Sequence, residues 1–242
     1  LAHKGGKQRG YIWAYASGAQ EATAAVVYQI KEGRSGRYAR DFLQHEPLRP
    51  QVEFSASDPP QAKRWSGHLV VDDYGGYKAL FTPTFVPGTS AHNEVGLDGA
   101  IIEIGCWAYV RRKFFEQHVD SKSSIAETAL AHIGQLYAIE RAIRDEGLDV
   151  SAATLQRQTQ AMPRLLALHG WLPAMREQLT DGTASAKAID YALKRWPALM
   201  RYANDGRLPI DNNRIENQIR PWAVGRKNWL FANTPSGARA SA

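Results

Sequence analysis

The change of hydrophobic period near Trp107 constrains the fold of this chain more than any other feature. Before it, short runs rich in aromatic and β-branched residues are separated by Gly, Ser and Pro. After it, apolar residues recur at steps of three and four for roughly ninety residues. Trp107, Val110 and Phe114 share one helical face, with Arg111, Arg112 and Lys113 largely opposite. Ile125, Ala129, Ile133, Leu136, Tyr137 and Ile143 line a second helix. Leu165, Leu168, Leu172, Met175 and Leu179 line a third, and Ile189, Leu193, Trp196, Met200 and Ala203 a fourth. Such stripes are the buried seams of helices packed on one another. Pro173 and Pro197 lie inside the seams and are expected to kink or divide those helices. Gly206 is expected to stop the last one.

The N-terminal third reads differently. GYIWAY (10–15) and AAVVYQI (24–30) predict a hairpin turning near Ser17-Gly18. Arg37 to Leu43 predicts a short helix, and the proline-bearing stretch 47–66 a loop. Leu69 to Val71 predicts a buried strand that ends on Asp72 and Asp73, followed by a turn at Gly75-Gly76. A turn-rich stretch, 82–99, leads to IIEIGCW (101–107), which alternates and then opens a helix at Trp107.

Composition excludes several classes. Hydrophobic residues make up 44% and charged residues 22%, the balance of a globular domain. No apolar run approaches the roughly 20 residues that span a bilayer, and no signal peptide is visible. Cys106 is the only cysteine, which removes internal disulfides and all-cysteine zinc sites. The histidines show no metal-ligand spacing. A net charge of +6 fits an acidic partner such as nucleic acid, as it does many basic proteins. The chain opens on Leu1 and ends in GARASA, which reads as a piece of a longer protein.

Two carboxylates stand out. Asp72 sits at the end of an apolar strand, where ligands gather in α/β sheets. Glu216 lies in IDNNRIENQIRPWAVGRKNW (210–229), among amides and cations. A carboxylate there can ligate a hard divalent metal, with Arg and Lys holding phosphate oxygens. Equally, Asn213 to Glu216 fits a helix capping box, in which the glutamate satisfies a backbone N–H. Strand-borne and helix-borne carboxylates together can hold two divalent ions for in-line displacement at phosphorus. A third carboxylate is expected. Asp73 points to the opposite face from Asp72, and Glu103 reads as a solvated position.

Arg226, Lys227, Asn228 and Trp229 suit contact with phosphates and an unpaired base, or form a solvated turn beside a core Trp. Arg220, one turn beyond Glu216, either holds phosphate or pairs with the glutamate. Arg111 and Arg112 form a DNA track or simply the wet face of a helix. Cys106 reads as a small buried residue, and Gly75-Gly76 lacks the spacing and the Lys-Ser/Thr ending of a phosphate loop.

The blocks IDNNRIENQIRPWAVGRKNWLF, VVDDYGGYKAL, IGCWAYVRRKFFE and IGQLYAIE resemble, in order and spacing, the insertion sequence sixty-six family of bacterial transposases. The resemblance runs from about Gly10 to the end. It implies an α/β, ribonuclease-H-like mixed sheet with an α-helical insertion before the last catalytic helix. Residues 1–118 would form the first part of the core, 119–206 the insertion and 207–242 the last part. By position Asp72 resembles the second aspartate of an Asp-Asp-Glu site and Glu216 its glutamate. The implied cofactor is two Mg²⁺, with Mn²⁺ as substitute. The implied partners are DNA at element ends and target, further copies of the chain and other element-encoded proteins, in the bacterial cytoplasm and with no membrane.

Two departures accompany it. The family's first aspartate lies in an Asp-Glu-Thr motif that would fall upstream of Leu1, so this chain alone is expected to be inactive. Where the family has Cys-Trp-Ala-His, this chain has Cys106-Trp107-Ala108-Tyr109, and a phenol is no base near neutral pH. A non-catalytic DNA-binding remnant and a ribonuclease-H-like nuclease therefore stand as alternatives to an active transposase.

Overall fold

A computed structural model describes residues 2–3, 6–7, 10–21, 23–44, 65–81 and 100–225. Two short strands, β1 (Ala2–His3) and β2 (Gly6–Lys7), pair antiparallel at the start. The expected hairpin follows, as β3 (Tyr11–Ala16) and β4 (Val26–Lys31) in antiparallel register from Tyr11↔Lys31 to Ala16↔Val26. Ser17 helps close its loop, its hydroxyl accepting from the Ala25 N–H at 2.9 Å. Helix α1 (Arg37–Gln44) comes next.

Strands β5 (Gly67–Val71) and β6 (Ile101–Gly105) pair in parallel from Gly67↔Ile101 to Val71↔Gly105. A parallel pair needs a crossover, part of which is the 3-10 helix Gly75–Leu80. The sheet differs from a continuous mixed one. Among the described residues β3–β4 and β5–β6 are separate pairs, bridged by side chains rather than by ladder hydrogen bonds. Aromatic rings gather in the cluster that joins them. Trp13 of β3 meets Tyr38, Tyr74 and Tyr77 edge-on, at centroid distances of 6.0, 6.5 and 6.1 Å. Trp13, Ala39, Leu80 and Ile101 form the buried centre of this small core.

The helical period resolves into α2 (Trp107–Ser121), α3 (Ser124–Asp145), α4 (Val150–Gln156), α5 (Met162–Arg176) and α6 (Ala184–Met200). The side chains of Ser123, Asp149 and Thr183 accept backbone N–H groups at the starts of α3, α4 and α6, as N-caps do. Between α4 and α5 the chain continues through one π-helical turn, Arg157–Ala161. The predicted seams converge on one large core running from Ile104 and Trp107 through Ile133, Leu165 and Ile189 to Tyr202 and Ile210. Gly105 lets α6 press directly on the end of β6, since a Cβ there would stand 3.0 Å from Leu199.

Neither Pro173 nor Pro197 divides its helix. Each lies in the last turn, where a missing N–H frees a single carbonyl, and the packed seam around it outweighs that loss. Gly206 follows a 3-10 turn (Arg201–Asn204) and lies against the first turn of α4, donating its N–H to Thr154 at 2.7 Å. The chain then re-enters the strand edge and forms α7 (Asn213–Gly225). Helix α7 packs on β3, and on β4 through Tyr28, whose hydroxyl donates to the Gln218 carbonyl at 3.0 Å. Among the described residues no helix is long and apolar enough to cross a membrane.

Candidate active site

Asp72 and Cys106 are the residues that directly follow the last register pair of β5 and β6, Val71↔Gly105. They therefore leave the C-terminal edge of the parallel pair side by side. The buried Cys106 thiol donates to Asn212 Oδ1 at 2.9 Å. Trp107 N–H donates to the Ile210 carbonyl at 3.1 Å. The segment leading into α7 is thus tied to the edge that carries Asp72. Asn212 also accepts from the Ile215 and Glu216 N–H groups, so α7 begins there and Glu216 follows within one turn. The sequence motif did not anticipate this arrangement. The side chain before the helix bonds Cys106, and the Glu216 carboxylate faces Arg112 of α2 at 3.9 Å. That pair is half exposed on both sides and contributes little to stability.

Asp72 is half-buried. Its Oδ1 accepts the Tyr74 N–H at 3.3 Å, and its carboxylate lines a cleft of about 130 Å³ with Tyr11, Trp13, Arg34 and Tyr77. Burial, and then the charge of Asp72, push the Tyr77 hydroxyl up to about 12. Asp73 faces the other way, as strand alternation predicts, and meets Arg195 of α6 at 3.4 Å. Glu103 is not the solvated position expected. It lies 2.6 Å from the same Arg195, and its carbonyl accepts from Arg201 at 2.7 Å. Burial lowers the proton affinity of Arg195, but Glu103 and Asp73 reverse this and leave it raised.

Three further residues carry the geometry. Tyr137 of α3 donates to Asp211 Oδ2 at 2.7 Å, and Asp211 in turn accepts the Asn213 N–H and side-chain amide at 3.0 and 2.8 Å. Burial, then Asp211, raise the Tyr137 hydroxyl far above its ordinary range. Arg157, buried in the π turn, pairs with Glu140 at 2.7 Å and donates to the carbonyls of Tyr202, Asp205 and Leu208 at 3.0, 2.7 and 2.8 Å. Arg195 is the third. Only Arg195 left a signal in the sequence: it continues the spacing of Ile189 and Ala192, and a cation on a buried seam requires buried carboxylates.

The other predicted residues divide. Arg220 lies exposed on α7 one turn beyond Glu216. Arg111 is exposed on α2, its guanidinium 5.8 Å from the Phe115 ring. Arg226, Lys227, Asn228 and Trp229 lie outside the described residues. Tyr109 packs against Tyr191 at 5.4 Å, and the Lys113 ammonium lies 5.0 and 4.6 Å from the two rings. The phenol thus joins α2 to α6 by packing and cation–π attraction.

Asp72 and Glu216 are carboxylates, the hard oxygen donor type that Mg²⁺ and Mn²⁺ take. Among the described residues no cluster of three or more His, Cys, Asp or Glu is arranged to hold a metal.

A profile of the family described as "Transposase IS66 family" matches residues 2–240. The chain belongs to that family. Similar curated proteins come from Sinorhizobium fredii. The uncharacterized protein y4qI is 29% identical over 235 residues, covering 96% of this chain and 38% of the relative. The uncharacterized protein y4hP is 30% identical over 249 residues, covering 96% and 39%. This IS66-family chain thus spans about two fifths of the length of the relatives it matches. No solved structure matches it.

Proposed function

We propose that this chain is the catalytic region of a DNA transposase, in which Asp72 and Glu216 hold divalent metal for phosphoryl transfer at the ends of an insertion element. One observation carries this reading. Asp72 follows the end of β5, and the helix that carries Glu216 starts beside Asn212, whose side chain bonds Cys106 at the same strand edge. When bound, Mg²⁺ or Mn²⁺ supplies charge neutralisation and water activation at phosphorus. The chain's own residues bind and orient. Arg112 and Arg220 flank Glu216 and neutralise phosphate oxygens, and Arg226 and Lys227 extend that basic tract. Asn228 and Trp229 receive a distorted strand end.

In the same reading the parallel pair and the hairpin belong to a ribonuclease-H-like core, and residues 119–206 are its insertion. In this reading a third carboxylate joins Asp72 and Glu216 to complete the Asp-Asp-Glu set. The transposase acts in the cytoplasm as a multimer on paired ends. The second reading, a DNA-binding remnant, is favoured by Tyr109 where the family carries His.

The test is strand cleavage and joining on a labelled element-end duplex, by a full-length transposase carrying this chain, with Mg²⁺. Cut and joined products that vanish with Glu216→Gln support the reading. Wild-type cleavage by that variant contradicts it. Salt-sensitive binding without product in either protein supports the remnant.

A further inference from the structure

The cleft beside Asp72 has a basic and aromatic rim that the catalytic reading leaves unused. Across residues 31–41 the chain carries four cations, Lys31, Arg34, Arg37 and Arg40, against two carboxylates, Glu32 and Asp41. Three of the cations lie over rings. The Arg34 guanidinium lies 4.7 Å from the centroid of Tyr74, Arg37 lies 4.9 Å from Tyr38, and the Lys31 ammonium 5.5 Å from the same ring. Arg37 also donates to the Tyr38 hydroxyl at 3.1 Å.

The placement is fixed by backbone. A Cβ on Gly36 would collide with the Gly76 carbonyl, one on Gly76 would collide with the Tyr74 ring, and the Tyr74 hydroxyl donates to the Arg34 carbonyl. The loop that carries Arg34 is thereby held against the turn that follows Asp72. Arg34 and Arg37 remain exposed. Among the described residues Arg34 makes no ion pair, and it lines the cleft together with Asp72.

A guanidinium stacked on a tyrosine is oriented at small entropic cost and still turns its outer plane and N–H groups to solvent. That plane stacks on a base, and its edge binds phosphate. A base inside a duplex offers no such face, because its own neighbours cover it. We propose that Arg34, over Tyr74 at the rim of the Asp72 cleft, and Arg37, over Tyr38 three residues further along, form a binding surface for an unpaired DNA strand. This rests on the transposase reading and adds to it the path of the strand into the cleft.

The experiment measures binding by fluorescence anisotropy, using this chain with a labelled single-stranded oligonucleotide and with a blunt duplex, over a series of salt concentrations. For the variant Arg34→Gln/Arg37→Gln, single-strand affinity is expected to fall at least tenfold and duplex affinity less than threefold. The slope of log affinity against log salt should shrink by about 1.4, roughly 0.7 for each charge removed. Arg144→Gln, an exposed cation at the far end of α3, should leave both unchanged. Unaltered single-strand binding, equal losses on the two DNAs, or no binding by the parent chain overturns the proposal. If Glu216→Gln abolishes cleavage while the double variant binds like the parent, this inference fails and the transposase reading stands.

Discussion

The Cys106 thiol and the Asn212 side chain meet at 2.9 Å although 106 residues separate them. This bond joins the end of β6 to the residue just before α7, and so brings the start of the helix of Glu216 to the edge that carries Asp72. Because Cys106 is the only cysteine, it also reports whether that junction is closed. Burial pushes its thiol up, more than the Asn212 and Tyr109 backbone N–H groups pull it down. Alkylation follows the thiolate, so the native rate should be far below that of the unfolded chain and should climb only above the ordinary thiol range near ~8.5. The linkage has the matching sign. Stability from this group is present below the unfolded value and is lost as pH rises through the folded one. Asn212→Ala should speed alkylation by maleimide at pH 8, and an unchanged rate would mean that the junction does not protect the thiol.

Arg195 bridges Asp73 and Glu103, and so fixes the turn after β5 against β6. Removing the guanidinium leaves two carboxylates largely buried and unpaired. Arg195→Met is expected to cost about 3–5 kcal/mol in urea unfolding. Adding Glu103→Gln to that variant should recover part of the loss, since one orphaned charge is then gone.

Arg157 holds three carbonyls of the segment that returns to α7. Arg157→Lys keeps the charge but lacks the planar fork. It should expose the amides of residues 202–208 to faster hydrogen exchange while those at the centre of α3 stay protected. Uniform exchange across both regions would show that Arg157 supports global stability only.

Tyr137→Phe removes one hydroxyl and little volume. The lost bond to the Asp211 carboxylate is expected to cost about 1.5–3 kcal/mol. A double-mutant cycle with Asp211→Asn should be strongly non-additive, because both changes act on one bond. Simple additivity would place the two effects in separate contacts.

The sequence made the hairpin, the strand ending at Asp72 and the helical seams legible because each rests on a local period. Trp13, Trp107, Ile133 and Ile189 are buried as those periods require. The connections between elements were hidden because they depend on side chains distant in sequence. Nothing local to Tyr137 points to Asp211, and nothing local to Arg157 points to the carbonyls at 202–208. Glu103 read as solvated because its strand alternates, and its partner, Arg195, arrives from a helix 92 residues later. Pro173 and Pro197 read as breaks because propensity is local, whereas the packing that keeps their helices whole is not.

The most direct test of the account is whether Asp72 and Glu216 form one metal site. Calorimetric titration of Mn²⁺ into a full-length transposase carrying this chain, with Asp72→Asn, Glu216→Gln and the double variant, measures it. Each single change should weaken Mn²⁺ binding by at least tenfold, and the double variant should lose less than the two effects multiplied, because the carboxylates act together. Parent-like Mn²⁺ binding by the double variant would contradict the account.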